Sequence, residues 1–164
     1  MICLIFNLKI TYAEEFDDGT YTIQSTINNS KVIDLTSANT ANGSNIRIWQ
    51  SNDTNAQKWN FIRQNDGYYQ IASSIDQNKV FDITSGIIAN YSNIQLYDTN
   101  NTNAQKWTLV QIENDIYTIK SIDNNYCLDL SGANTENGTN IQLYQCNNTN
   151  AQKFRLIKEV TPVK

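Results

Sequence analysis

The chain has 164 residues, 12 Lys and Arg against 16 Asp and Glu, a net charge of −4 and no histidine. That length suits a single domain, and the acidic balance argues against a nucleic-acid partner, which needs clustered Lys and Arg to hold phosphates. The missing imidazole removes the commonest general base, the usual triad base and most zinc sites, so neither catalysis nor a cofactor or metal is expected.

Residues 1–13 come first. They run apolar from Ile2 to Phe6, reach Thr11-Tyr12-Ala13, and give way to Glu14 and Glu15. This resembles the back half of a signal peptide whose start lies upstream; an N-terminal extension or added strand is the alternative. The apolar stretch is too short to span a bilayer, so no membrane insertion is expected. Cys3 would leave with the signal, and the two remaining cysteines are the even count expected in an oxidising, extracellular compartment. Residues 14–164 are then one secreted domain.

From Tyr21 onward the chain repeats itself. Tyr21, Tyr69 and Tyr117 each open a unit, followed by Val32-Ile33-Asp34-Leu35, Val80-Phe81-Asp82-Ile83 and Cys127-Leu128-Asp129-Leu130. A third run follows in each unit: Asn45 to Trp49, Asn93 to Tyr97 and Asn140 to Tyr144. Each run has apolar residues at alternate positions, the periodicity of strands. Units close on Asn-Ala-Gln-Lys-aromatic, at Asn55 to Trp59, Asn103 to Trp107 and Asn150 to Phe154, stepping by 48 and then 47 residues. Such a period marks a supersecondary unit that buries its apolar face only against its neighbours. The spacing predicts an all-β fold of three repeats with four strands each, over roughly 17–64, 65–112 and 113–158.

Between the second and third strands lie turn-forming stretches, with Asn42-Gly43 and Asn137-Gly138 as the strongest signals, so these strands are expected to pair as hairpins. Cys127 and Cys146 sit at the outer ends of the third hairpin. Placed opposite one another, they set Asp129 against Tyr144, Asp34 against Trp49 and Asp82 against Tyr97, carboxylate and ring side by side on the outward face. A disulfide there would contribute about 3 kcal/mol by constraining the unfolded chain, with two buried free thiols as the alternative. A carboxylate accepts from adjacent sugar hydroxyls, an aromatic ring covers the sugar's C–H face, and amides fill the remaining positions. Asp129, Tyr144 and Gln142 supply all three. Gln57, Gln105 and Gln152 are read as structural, tying loop backbone beside the core aromatics Trp59, Trp107 and Phe154.

These motifs, with the Cys127/Cys146 spacing and the closing Gln-x-aromatic, resemble those of ricin-type β-trefoil lectins, also called family 13 carbohydrate-binding modules, over about residues 17–158. The resemblance implies a six-stranded barrel capped by three hairpins and up to three shallow sugar sites. By motif position it assigns Asp34, Asp82 and Asp129 as ligand carboxylates, Trp49, Tyr97 and Tyr144 as stacking platforms, and Arg47, Gln95 and Gln142 as polar contacts. The family often carries Asn just before the motif Gln; here Ala56, Ala104 and Ala151 stand there, and Asn55, Asn103 and Asn150 precede them as candidate contacts. The third repeat fits best. The second is ranked last, because Tyr91 replaces the turn glycine and Ile87-Ile88 enters its loop.

The leading reading is a non-catalytic, secreted module that binds galactose-type sugars or polysaccharide through weak, multivalent sites. An enzyme is disfavoured, since equivalent carboxylates do not make the asymmetric acid/base pair of glycoside hydrolysis. A trefoil that binds a protein partner, as an inhibitor or as the docking subunit of a secreted toxin or enzyme assembly, is the alternative. The apolar Ile87-Ile88 loop with Tyr91 is the feature favouring it.

Overall fold

The computed structural model describes residues 16–160, so the expected export segment at residues 1–13 lies outside the described residues. Twelve strands occur among them: β1 (Gly19–Ser25), β2 (Lys31–Leu35), β3 (Ser44–Gln50), β4 (Trp59–Arg63), β5 (Tyr69–Ser73), β6 (Lys79–Ile83), β7 (Ile94–Asp98), β8 (Trp107–Glu113), β9 (Ile116–Ser121), β10 (Tyr126–Leu130), β11 (Ile141–Gln145) and β12 (Phe154–Lys158).

The first and last strand of each unit build a closed ring, β1–β4–β5–β8–β9–β12 and back to β1, all antiparallel. Closure leaves this barrel without an edge. The middle strands form the hairpins β2–β3, β6–β7 and β10–β11 that cap one end. This is the β-trefoil that the family resemblance implies, built from the three four-stranded units that the repeat predicts.

Alternation along the strands drives Ile33, Leu35, Ile46, Ile48 and their counterparts into one core around Trp59, Phe61, Phe81, Trp107 and Phe154, all at most 1% exposed. Trp59 and Trp107 donate their indole N–H to the carbonyls of Ile33 and Phe81, 3.1 and 3.4 Å away. A barrel-bottom indole thus pins its own unit's second strand. Phe154 has no N–H with which to repeat this bond. At the barrel's other end Phe16 packs among Tyr21, Tyr69 and Tyr117, with ring centroids 4.7, 5.7 and 5.1 Å away. One aromatic from outside the repeat therefore fills the hole that three equivalent tyrosines surround.

Where the hairpins meet, Asn45, Asn93 and Asn140 close a ring of amides. Asn45 donates to Asn140 (2.9 Å), Asn140 to Asn93 (2.8 Å) and Asn93 to Asn45 (2.9 Å). Each amide gives and accepts one bond, which satisfies polar groups that the packing of three lobes half-buries.

The hairpin register differs from that expected. Asp129 pairs with Gln142 and Cys127 with Tyr144; likewise Asp34 pairs with Arg47 and Asp82 with Gln95. The cysteines are the reason. Cys146 lies past the end of β11 with its N–H on the Asn125 carbonyl, so the disulfide joins diagonal neighbours, with Cα atoms 5.1 Å apart, instead of directly opposed residues. A slip of two preserves which face each side chain occupies and changes only its partner.

Candidate functional site

Each unit places its carboxylate in the same way. Three residues beyond the start of each hairpin's first strand, at Lys31, Lys79 and Tyr126, is an aspartate covered by the closing loop of its unit; Asp34, Asp82 and Asp129 are only 4, 5 and 6% exposed. They do not stand on the open outward face that the sequence suggested. Asp82 and Asp129 form the floors of clefts.

Two side chains hold each aspartate from either side. Gln57, Gln105 and Gln152 donate Nε2–H to the Oδ2 atoms of Asp34, Asp82 and Asp129 at 3.1, 3.0 and 3.0 Å. The same amide groups also donate to the carbonyls of Gln50, Asp98 and Gln145 and accept from the backbone N–H of Asn52, Asn100 and Asn147. This glutamine thus fastens the loop to the hairpin through buried bonds. The Oδ1 atoms accept from the third strand: from Gln95 at 2.9 Å, from Gln142 at 3.1 Å and from Arg47 Nε at 2.8 Å. Burial pushes the Asp129 carboxyl above the ordinary aspartate range, and the donors Gln142 and Gln152 pull it back in part.

The loops over the carboxylates rest on a motif that sequence reasoning passed over. In Asn52-Asp53-Thr54, Asn100-Asn101-Thr102 and Asn147-Asn148-Thr149 each asparagine Oδ1 accepts the N–H of its threonine, 3.0–3.1 Å away. Each is an Asx turn, with Asp53, Asn101 and Asn148 in the left-handed region at φ 58–60°. Exact recurrence before each closing motif was the available signal. These turns bring Asn100 and Thr102, or Asn147 and Thr149, to the cleft wall.

The second unit opens a cleft of ≈ 610 Å³ lined by Asp82, Gln95, Tyr97, Asn100, Thr102 and Asn103. The third opens one of ≈ 560 Å³ whose walls include Asp129, Gln142, Tyr144, Asn147, Thr149 and Tyr91. Both are large enough for a small-molecule ligand. Asn103 borders its cleft, whereas Asn55 and Asn150 are exposed at the corresponding loop positions, the latter with Oδ1 3.5 Å from Lys153 Nζ.

In the first unit the equivalent space is taken by the chain itself. Arg47 lies with its guanidinium carbon 3.9 Å from the centre of the Trp49 ring while its Nε pairs with Asp34. One cation therefore covers the platform and occupies the carboxylate together.

Tyr91 is not where its own repeat would put it. The turn between the second and third strands of each unit docks on the next unit's hairpin: the N–H groups of Gly43, Tyr91 and Gly138 donate to the carbonyls of Leu96, Leu143 and Ile48 at 2.8–2.9 Å. Asn42, Asn90 and Asn137, one residue earlier, accept the backbone N–H of Asp98, Gln145 and Gln50. Tyr91 consequently stands against Tyr144, ring centroids 5.2 Å apart and nearly perpendicular, and does not obstruct the second cleft. Its hydroxyl beside that of Tyr144 raises the Tyr144 phenol above its ordinary range. The Ile87-Ile88 pair divides, Ile88 packing on the core and Ile87 remaining 60% exposed.

Comparison with known proteins agrees with this architecture. The model of the ricin-type beta-trefoil lectin domain-like family matches residues 7–97 and 103–162, and the chain belongs to that family. No curated protein matches the sequence. Among solved structures, the designed three-fold symmetric protein ThreeFoil is 24% identical with a TM-score of 0.81, covering 87% of this chain and 100% of its own. The Macrolepiota procera ricin B-like lectin, solved in complex with lactose, is 21% identical with a TM-score of 0.74, over 88% of this chain and 99% of its own. A mosquitocidal holotoxin is 20% identical with a TM-score of 0.82; the match covers 92% of this chain but only 18% of the toxin. At these identities the likeness establishes the fold.

Proposed function

We propose that this chain is a non-catalytic carbohydrate-binding module that takes galactose-type sugars in its second and third clefts. The observation that carries the reading is the cleft itself: a carboxylate held in place by two side-chain donors, beneath a partly exposed tyrosine, with amides at the rim. An aspartate so held keeps lone pairs for sugar hydroxyls, and Tyr97 or Tyr144 covers the C–H face. The lactose complex of a family relative points to the same ligand class.

Magnitudes favour weak sites used together. One stacked ring is worth about 0.5–1.5 kcal/mol and each charge-assisted hydrogen bond about 1.5–3 kcal/mol, against association costs of about 4–15 kcal/mol. Two such sites on one rigid barrel gain affinity on a surface or polymer that presents many sugars. The Cys127–Cys146 disulfide supports the secreted location where such ligands occur. Asp82 and Asp129 sit in equivalent amide networks and Asp34 is paired with Arg47, which speaks against the asymmetric acid/base pair of a glycosidase.

The test is retention on immobilised lactose. Tyr97→Ala with Tyr144→Ala removes both platforms without touching the buried networks, and retention should be lost while circular dichroism stays native. Full retention by the folded double variant would contradict the proposal. A docking subunit of a larger toxin or enzyme remains the second reading, favoured by the exposed Ile87 and by the match to one segment of a holotoxin.

A further inference from the structure

The third cleft differs from the second in one respect that the repeat does not explain. The residue after the turn asparagine is glycine in two units, Gly43 (φ 86°) and Gly138 (φ 92°), and tyrosine in the other, Tyr91 (φ 69°). All three are left-handed, the conformation that glycine takes without steric cost and that a bulky side chain resists. A side chain at this position is aimed across the lobe boundary. A Cβ built on Gly43 would lie 3.9 Å from Gln95 Oε1, and one on Gly138 would lie 3.9 Å from Trp49 Cζ3, each in the following unit's site. Only the third cleft receives a side chain from this place.

Resting on the carbohydrate reading above, we propose that Tyr91 is a specificity element making the third cleft a two-lobe site for sugars that carry an apolar substituent. The physical basis is the steep angle, 73°, between the two rings. A sugar stacked on Tyr144 has its C–H face covered, and any group projecting from its edge toward the second lobe meets the Tyr91 ring, which is 69% exposed and at a ring-to-ring distance of 5.2 Å from Tyr144. A hydroxyl projecting there gains no apolar contact. An acetamido methyl or an aromatic aglycone does, and burying it against an aromatic wall removes apolar surface from water. The second cleft, with the glycine of Gly43 at the corresponding place, offers polar Gln95 and no such wall. The two clefts are therefore tuned to different members of one ligand class.

The experiment uses the whole chain with the second platform removed, Tyr97→Ala, so that the third cleft is read alone. Binding of four probes is measured by competition: methyl β-galactoside, 4-nitrophenyl β-galactoside, galactose and N-acetylgalactosamine. In this background at least one substituted probe should be preferred over its plain counterpart by about three- to tenfold, the effect of one aromatic contact. Which pair shows it tells whether the aglycone or the acetamido group meets Tyr91. Adding Tyr91→Gly, which restores the residue of the sister turns, should bring that ratio close to one, while Tyr91→Phe should keep it. A ratio that survives Tyr91→Gly, with sugar binding otherwise intact, overturns the assignment to Tyr91 alone. Failure of all four probes to bind the Tyr97→Ala chain overturns the carbohydrate reading of this cleft and the proposal with it.

Discussion

Arg47 is the residue at which the three-fold pattern breaks. Gln95 and Gln142 satisfy one oxygen of their aspartates and leave Tyr97 and Tyr144 uncovered, whereas Arg47 satisfies Asp34 and also lies on Trp49. A neutral sugar entering the first unit would have to displace a cation from a partly desolvated carboxylate and from an indole face at once, at a cost of several kcal/mol. Arg47→Gln is therefore expected to create a binding site, raising retention on immobilised lactose; no gain in a folded variant would show that the guanidinium is not what closes this unit. Asp129 should make sugar binding sensitive to pH. Burial raises its pKa in the folded cleft, so protonation sets in at a higher pH than for an ordinary aspartate, and a protonated carboxyl loses the charge that strengthens its bonds to hydroxyls. Sugar affinity of the Tyr97→Ala chain should thus fall as pH drops through the range just above the normal aspartate pKa. A flat profile there would contradict a direct role for the Asp129 carboxylate.

The hairpins carry the candidate clefts and also the features that the sequence conceals. Periodicity and the recurrent aspartate were legible, as were the core aromatics at Trp59, Trp107 and Phe154, because alternation and exact repetition survive in one dimension. The pairing was not. A disulfide tolerates diagonal as well as opposed partners, so the cysteine spacing left the register ambiguous by two residues and gave Asp129 the wrong neighbour. Burial of the aspartates was also hidden, since it arises from a loop closing over the hairpin through Gln152 and its equivalents, a long-range contact with no local pattern. Tyr91 was misplaced for the same reason: a turn belongs to one repeat in sequence and to the next in space. The hairpins β2–β3 and β6–β7 hold the register of β10–β11 without a cross-link. Replacing Cys127 and Cys146 by serine should therefore lower stability in urea denaturation by about 3 kcal/mol or less while leaving the third cleft able to bind sugar. Loss of binding in a folded variant would mean that the disulfide, and not the strand pairing, shapes the site.

At the scale of the whole molecule, the lobes are fastened to one another in a circle. Each turn docks on the following hairpin, the three central asparagines close their own ring, and the barrel has no free edge. Such mutual support lets individual sites diverge without loss of the fold, because the residues that differ at the clefts, Arg47, Gly43, Tyr91 and Gly138, are not those that make the core. Three copies of one scaffold thereby hold one self-filled site, one open polar cleft and one cleft walled by two tyrosines.

On the proposed reading, sugar enters the second and third clefts and not the first. Amide NMR spectra of the intact chain titrated with lactose test it most directly. Shifts confined to the residues around Tyr97, Asn100 and Asp82 and around Tyr144, Asn147 and Asp129, with the signals around Trp49 and Asp34 unmoved, are the expected result. Saturable shifts centred on Trp49, or none in either open cleft at high lactose, would contradict it.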